Sequence, residues 1–143
     1  MSKIKILFLG DYSPSGNWGN LAFKNGKKFL SSFYEKIQSS SYVMVNFEGS
    51  IESKYNKQKI LKSGPTIKLH KDSIRYLSSL KINAINLANN HSLDLGINGL
   101  HSTIKLANSY GIDTVGAGAS EQLARSPLIK KIAGVKICFL SVA

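Results

Sequence analysis

The sequence predicts an α/β fold with a mainly parallel sheet. Short apolar runs, each typical of a buried strand, alternate with stretches whose apolar residues repeat every three or four positions. Such alternation favours units in which parallel strands are joined through helices. Three of the apolar runs also end directly on polar side chains. In open α/β sheets the ligand lies at the carboxyl ends of the strands, so these three strand ends are the first place to look for a functional site.

Each element follows from its local pattern. Strands are expected at residues 3–9, 42–47, 66–69, 83–88 and 112–116, followed by a hairpin of strands 127–133 and 135–142 joined at Gly134. Helices are expected at residues 20–38, 71–80, 96–110 and 120–125, with a long polar loop at 50–65. The helix at 96–110 is indicated by apolar residues at helical spacing, and the loop ends on the helix-breaking run Ser63-Gly64-Pro65.

The helix ends carry capping residues. Gly111 lies where a C-cap glycine is expected. Asp72 or Ser73 is expected to cap the helix at 71–80, and Asp94 the helix that begins near Gly96. These residues are therefore given local structural roles.

Size and composition predict one domain without disulfides. A chain of 143 residues with 43% hydrophobic content supports a single core. The lone Cys138 lies in an apolar run and is expected to be a buried, inert thiol. The apolar segment before Asp11 is too short for a secretory signal or a membrane span. The chain as written is therefore expected to be soluble and cytoplasmic.

The charge is strongly positive, with 19 Lys and Arg against 8 Asp and Glu, a net charge of +11. One interpretation is a surface that attracts an anionic polymer, and the other is an ordinary solvated surface. The lysines are dispersed and few aromatic residues interleave with them, which disfavours a single-strand nucleic-acid platform. No nucleic-acid partner is predicted.

The three strand ends carry a set of oxygen and nitrogen donors. Its members are Asp11, Asn46, Glu48, Asn90 and His91. Carboxylate, amide and imidazole groups together suit a divalent cation such as Mn, Zn, Fe or Mg, and a pair of such ions promotes phosphoester hydrolysis. The alternative is local: Asp11 caps a loop, Glu48 is a surface carboxylate, and Asn90 and His91 form a turn.

The amino-acid sequence around these strand ends resembles that of one protein family. Its segments here are Gly10-Asp11, Val45-Asn46-Phe47-Glu48-Gly49, the run from Asn86 to Gly96 that contains Ala-Asn-Asn-His-Ser-Leu-Asp, and Val115-Gly116-Ala117-Gly118. They are similar to the bacterial capsule-synthesis CapA family, also called the poly-γ-glutamate synthesis PgsA type. That family is similar in fold to calcineurin-like metallophosphoesterases, which implies a layered α/β/β/α arrangement.

The resemblance implies roles for individual residues. Asp11, Glu48 and Asn90 match metal-ligand positions, and one or two divalent ions are implied. His91 matches the neighbouring proton donor, so it is the implied catalytic residue. Asn46 and Asn89 are implied to support the site.

The resemblance also implies that more chain is needed. In the family, later histidine-containing blocks follow the region matched by residues 1–143, so the chain is expected to be a partial domain that lacks the C-terminal half. Its last strand is expected to present an unpaired edge, which a complementing chain or segment would cover. Some relatives are associated with membranes, although no transmembrane segment is predicted here.

Two functions remain open from the sequence. One is a component of capsule or poly-γ-glutamate synthesis with a metal-dependent hydrolase site that acts on a phosphoester or an anionic polymer. The other is a non-catalytic truncated domain that binds an acidic polymer through its positive charge. Whether the chain is an enzyme is left uncertain at this point.

Overall fold

A computed structural model describes residues 3–16, 31–52 and 60–143 of the chain. The strands are β1 (Ile6–Tyr12), β2 (Tyr42–Phe47), β3 (Ser50–Ile51), β4 (Lys68–Leu69), β5 (Ala84–Asn86), β6 (Asp113–Val115), β7 (Leu128–Ile132) and β8 (Val135–Phe139). The helices are α1 (Ser31–Gln38), α2 (Asp72–Ser79), α3 (Gly96–Ser109) and α4 (Glu121–Arg125). Residues 20–30 of the first predicted helix and 53–59 of the predicted loop lie outside the described residues.

The main sheet is parallel, as predicted. Its order is β1-β2-β5-β6, and each neighbouring pair runs in the same direction. A second, two-stranded parallel sheet pairs β3 with β4, and β7 with β8 form an antiparallel hairpin. The fold is therefore α/β with a mainly parallel sheet, an arrangement consistent with a metallophosphoesterase-like fold.

Alternation along β2 separates two apolar layers. Val43, Val45 and Phe47 pack in one core with residues of α1, α2 and α3, whereas Tyr42 and Met44 pack in a second core. The second core is closed by the β7–β8 hairpin, where the Phe139 ring stacks on Tyr42 with 5.0 Å between ring centroids. Because side chains alternate between faces every second residue, one strand supplies both layers. Helices cover one face of the sheet and the hairpin covers the other.

Two local expectations about α2 and Cys138 were wrong. Lys71 is the N-cap residue of α2 and makes no side-chain cap hydrogen bond; the Asp72 N–H donates to His70 Nδ1 at 3.2 Å, and the Ser73 hydroxyl donates to the His70 carbonyl. Cys138 is exposed rather than buried. The period of two along β8 turns Phe139 toward the sheet, so the neighbouring thiol faces outward.

The chain reverses at a glycine after the C-terminal end of α3, as the sequence predicted. Gly111 has a φ of 71°, and the Ile112 N–H donates to the Ala107 carbonyl at 3.0 Å. A left-handed residue here lets the chain reverse and satisfies a terminal carbonyl of the helix. The chain then enters β6, which returns to the sheet beside β5. In the described residues, none of the helices has the length and apolar character needed to cross a bilayer.

Candidate functional site

A row of polar side chains crosses three strands of the main sheet near their carboxyl ends. Strand register sets Asp11 opposite Asn46, and Asn46 opposite Asn86. The Asn46 amide donates to Asp11 Oδ1 at 2.7 Å, and the Asn86 amide donates to Asn46 Oδ1 at 2.8 Å. A register shift between Leu9 and Asp11 brings the Asp11 carboxylate into this row. Three apolar strands therefore place the side chains of Asp11, Asn46 and Asn86 in one row across the sheet.

The row continues into the loop after β5 and to the last residues of the chain. The Asn89 amide donates to Asn46 Oδ1 and to the Phe47 carbonyl, each at 3.1 Å. The Ser141 hydroxyl donates to Asn86 Oδ1, which also accepts the Ala88 N–H at 2.9 Å. Asn46 Oδ1 thus receives two amide donors. This oxygen is therefore fully engaged within the row.

His91 lies next to this row and faces Glu48. The His91 backbone N–H donates to Asn89 Oδ1 at 3.0 Å, which ties the imidazole-bearing turn to the amide row. The imidazole Nε2 lies 3.9 Å from Glu48 Oε1, and Nδ1 lies 2.8 Å from Asp94 Oδ2. His91 is buried and Glu48 is half-buried. The structure therefore brings together the acidic residue of the second strand end and the histidine of the third.

Asp94 does not cap α3, contrary to the sequence-based expectation. Leu95 is the N-cap residue of α3, without a side-chain cap hydrogen bond. The fully buried Asp94 carboxylate instead forms an ion pair with the Lys62 ammonium and accepts the Ile67 N–H at 2.7 Å. Burial opposes ionisation of this carboxyl. Hydrogen bonds from Ile67, Lys62 and His91 outweigh that effect and lower the pKa of Asp94.

The lowered pKa predicts how stability depends on pH. A carboxyl whose pKa is lower in the folded than in the unfolded state stabilises the fold above its unfolded pKa of about 4. That stability is lost as the pH falls through the lower, folded pKa. We expect the difference in free energy of unfolding between the wild type and Asp94→Asn to shrink as the pH is lowered from 7 toward 3, in urea titrations. A difference that stays constant over this range would contradict the assignment.

Asn90 is the predicted ligand least tied to the rest of the site. It is exposed in the turn, and within the described residues its side chain forms no hydrogen bond. The turn borders a cavity of about 880 Å³ between the loop after β5, α4 and the last residues of the chain. Asn90 is therefore accessible from the cavity.

The donor chemistry fits a divalent cation. Asp11 is exposed, and Asn46 occupies only one of its carboxylate oxygens. Within the described ranges no three His, Cys, Asp or Glu residues form a metal-type cluster, so a divalent ion here would need amide oxygens among its ligands. Carboxylate and amide oxygens with one imidazole are acceptable to Mn²⁺, Mg²⁺ or Zn²⁺.

Sequence reasoning missed three residues of this region and assigned a different role to a fourth, Asp94. Asn86 and Ser141 extend the polar row, and Lys62 and Asp94 support His91. Asn86 had a visible signal, because it ends an apolar strand just as Asn46 does. Lys62 had none, since it lies 32 residues before Asp94 in a polar loop.

Comparison with known proteins places this site in a family. Residues 5–143 match the family model for the bacterial capsule synthesis protein PGA_cap. The chain belongs to this family. The match to the family model covers every strand and helix described above, including the polar row and the His91 turn. It confirms the resemblance noted in the sequence.

Two curated relatives match nearly the whole chain. It is 28% identical over 135 residues to the PGA biosynthesis protein CapA of Bacillus subtilis, which covers 93% of this chain and 35% of the relative. It is 30% identical over 141 residues to the capsule biosynthesis protein CapA of Bacillus anthracis, which covers 96% of this chain and 34% of the relative. The chain thus spans about a third of the length of these relatives.

A third relative matches a shorter stretch. The chain is 41% identical over 58 residues to a probable polyglutamine synthesis accessory protein of Mycobacterium tuberculosis, which covers 41% of this chain and 15% of that protein. Together these matches support the membership of this chain in the PGA_cap family, which includes capsule and poly-γ-glutamate biosynthesis proteins.

Proposed function

We propose that this chain takes part in the synthesis of an anionic capsule polymer of the poly-γ-glutamate kind, through a metal-dependent hydrolase site of metallophosphoesterase type. The names of the relatives support the biological process. The chain's own residues support the chemistry, because donors from three strand ends and a carboxylate-bound histidine meet at one edge of the sheet.

One observation carries the proposal. His91 Nδ1 is held by a buried carboxylate while Nε2 points to a second carboxylate, Glu48, beside the Asp11–Asn46 pair. Carboxylates at both ring nitrogens favour a histidine that takes up and passes on a proton over one that only completes a turn. The alternative in which these residues form a simple turn leaves the Glu48–His91 approach without a purpose.

Asp11, Glu48 and Asn90 are the residues that would hold a divalent ion. When bound, the ion polarises a phosphoryl or carbonyl oxygen of the substrate and stabilises the charge that develops there. Once Nε2 has taken up a proton, His91 donates it to the leaving oxygen, while Asp94 holds Nδ1. Asn46 and Asn89 hold Asp11 and the His91 backbone in place through their hydrogen bonds.

The test is calorimetric titration of the metal-stripped chain with Mn²⁺. We expect binding in the wild type and its loss in the double variant Asp11→Ala, Asn90→Ala, because two of the three proposed ligands are removed. The matched control is Asp72→Ala, Asn108→Ala, which removes one carboxylate and one amide from α2 and α3, away from the strand ends. The control is expected to bind Mn²⁺ as the wild type does.

The second candidate function makes the opposite prediction. A chain that only holds an acidic polymer through its +11 charge needs no metal. It would bind polyglutamate with a strong salt dependence, and equally well in the presence of a chelator. A folded wild type that fails to bind Mn²⁺ but binds polyglutamate in this way would replace the hydrolase proposal with the polymer-binding one.

A further inference from the structure

One oxygen of Asp94 lies within hydrogen-bond distance of two nitrogens from different parts of the chain. Asp94 Oδ2 lies 2.7 Å from the Ile67 backbone nitrogen and 2.8 Å from His91 Nδ1. The other oxygen, Oδ1, is occupied by the Lys62 ammonium. Asp94 is fully buried, so water does not compete for its hydrogen bonds. The carboxylate therefore joins the segment at 62–67 to the imidazole of His91.

The contacts around His91 Nδ1 are compatible with either neutral tautomer of the imidazole. Nδ1 lies 2.8 Å from Asp94 Oδ2 and 3.1 Å from Lys62 Nζ. If Nδ1 carries the proton, it donates to the carboxylate, and the Lys62 hydrogens turn toward Asp94. If Nδ1 is bare, it accepts from Lys62 but presses its lone pair against an ionised oxygen at hydrogen-bond distance.

The distances decide between the two tautomers. The contact with the carboxylate is the shorter one, and a charge-assisted hydrogen bond to an ionised acceptor is the stronger kind. A proton on Nε2 would also lack a partner among the described residues, because Glu48 Oε1 at 3.9 Å is beyond hydrogen-bond reach. The Nδ1–H tautomer gives the ring proton an acceptor and leaves Nε2 free to take up a proton from the site.

We infer that Asp94 is a positioning residue that fixes His91 as the Nδ1–H tautomer and keeps Nε2 directed at the Glu48 side of the site. The inference rests on the proposed function and deepens it, because it leaves Nε2 as the nitrogen that takes up a proton and then donates it. The Ile67 N–H fixes which oxygen of Asp94 faces the imidazole, and Lys62 holds the other oxygen. Placement of the 62–67 segment and orientation of His91 are thus set by a single carboxylate.

The test is ¹⁵N NMR of the histidine rings in the metal-free chain at alkaline pH, where imidazoles are neutral. Protonated and bare ring nitrogens give well-separated ¹⁵N shifts. We expect His91 to show a protonated Nδ1 and a bare Nε2. His101, exposed on α3, serves as the internal reference for an imidazole in an ordinary setting. A His91 protonated on Nε2 in the wild type would overturn the inference.

Two variants separate the role of the oxygen from that of the charge. Asp94→Asn keeps one oxygen acceptor, which the Ile67 N–H directs toward His91, so the Nδ1–H tautomer is expected to persist. Asp94→Ala removes the acceptor, so the tautomer signal is expected to move toward that of His101. Loss of Nδ1–H in Asp94→Asn would contradict the inference. Should Asp94→Ala not fold, the wild type and Asp94→Asn still decide it.

The two proposals fail in different ways. The proposed function fails when the folded wild type does not bind Mn²⁺, whatever the tautomer. The present inference fails when the tautomer is wrong, whatever the metal affinity. Running calorimetry and NMR on the same wild-type preparation therefore attributes a negative result to one of them.

Discussion

Replacing Asp94 with alanine is expected to lower the free energy of unfolding by about 3 kcal/mol, because breaking a buried ion pair leaves its remaining partners uncompensated. The Ile67 N–H loses its acceptor, and Lys62, whose side chain is only 19% exposed, loses its counter-charge. Urea unfolding at neutral pH, followed by circular dichroism, measures this difference.

The matched control is Asp72→Ala. Asp72 also contacts a histidine and a cation, His70 and Arg75, but at the surface. Exposed ion pairs contribute about 1 kcal/mol or less, so this variant is expected to remain close to the wild type. Equal losses in the two variants would show that burial of Asp94 is not what makes it important.

A double-mutant cycle with Lys62→Met tests the pair itself. Lys62 and Asp94 are in direct contact, so their effects are expected not to add, with a coupling of about 1 kcal/mol or more. Additive losses would mean that the ion pair is not formed in solution.

Replacing Gly49 with alanine is expected to be about as costly, roughly 3 kcal/mol, from backbone strain combined with overpacking. Gly49 follows Glu48 and has a φ of 135°, a conformation that residues with a side chain rarely adopt. An added Cβ would also lie 2.8 Å from Ile67 Cγ2 and 3.0 Å from the Ile67 carbonyl oxygen. The backbone must then move where Glu48 enters the site and where Ile67 contacts Asp94.

Gly111→Ala isolates the contribution of φ alone. Gly111 has a φ of 71°, but a Cβ there would meet no atom within 4 Å. Its cost is expected to be about 1 kcal/mol, the typical price of alanine in a left-handed position. Urea midpoints of the two variants give the comparison. A Gly49→Ala loss no larger than that of Gly111→Ala would show that the contact with Ile67 is relaxed at no cost.

Much of the fold was predictable because its signals are local. Strand β2 was predicted at 42–47 and is found at Tyr42–Phe47, since a run of apolar residues ending on polar ones marks a buried strand. Strand β1 was predicted at 3–9 but extends to Tyr12, because it continues to pair with β2 beyond the irregularity near Gly10. Strand β3 was missed within the predicted loop, because two residues show no periodicity.

In the candidate site, too, residues with a local sequence signal were predictable and contacts between distant residues were not. Residues 11, 46, 48, 89, 90 and 91 stand out in the sequence, since each follows or ends an apolar strand. The contacts of His91 could not be predicted, because Lys62 and Glu48 reach it from 29 and 43 positions away along the chain. Local rules gave Asp94 a helix-capping role, and the contact with Lys62 and Ile67 overrode them.

The amino-acid sequence by itself determined the α/β class, the parallel order of alternating elements and the polar strand ends, because these depend on periodicity and on residue type. Only the tertiary structure decided that Asp11, Asn46 and Asn86 form one row, since that depends on strand register. It also decided that Asp94 serves His91 rather than the helix, because a buried carboxylate is stabilised by the donors that surround it in space, and those donors come from distant parts of the chain.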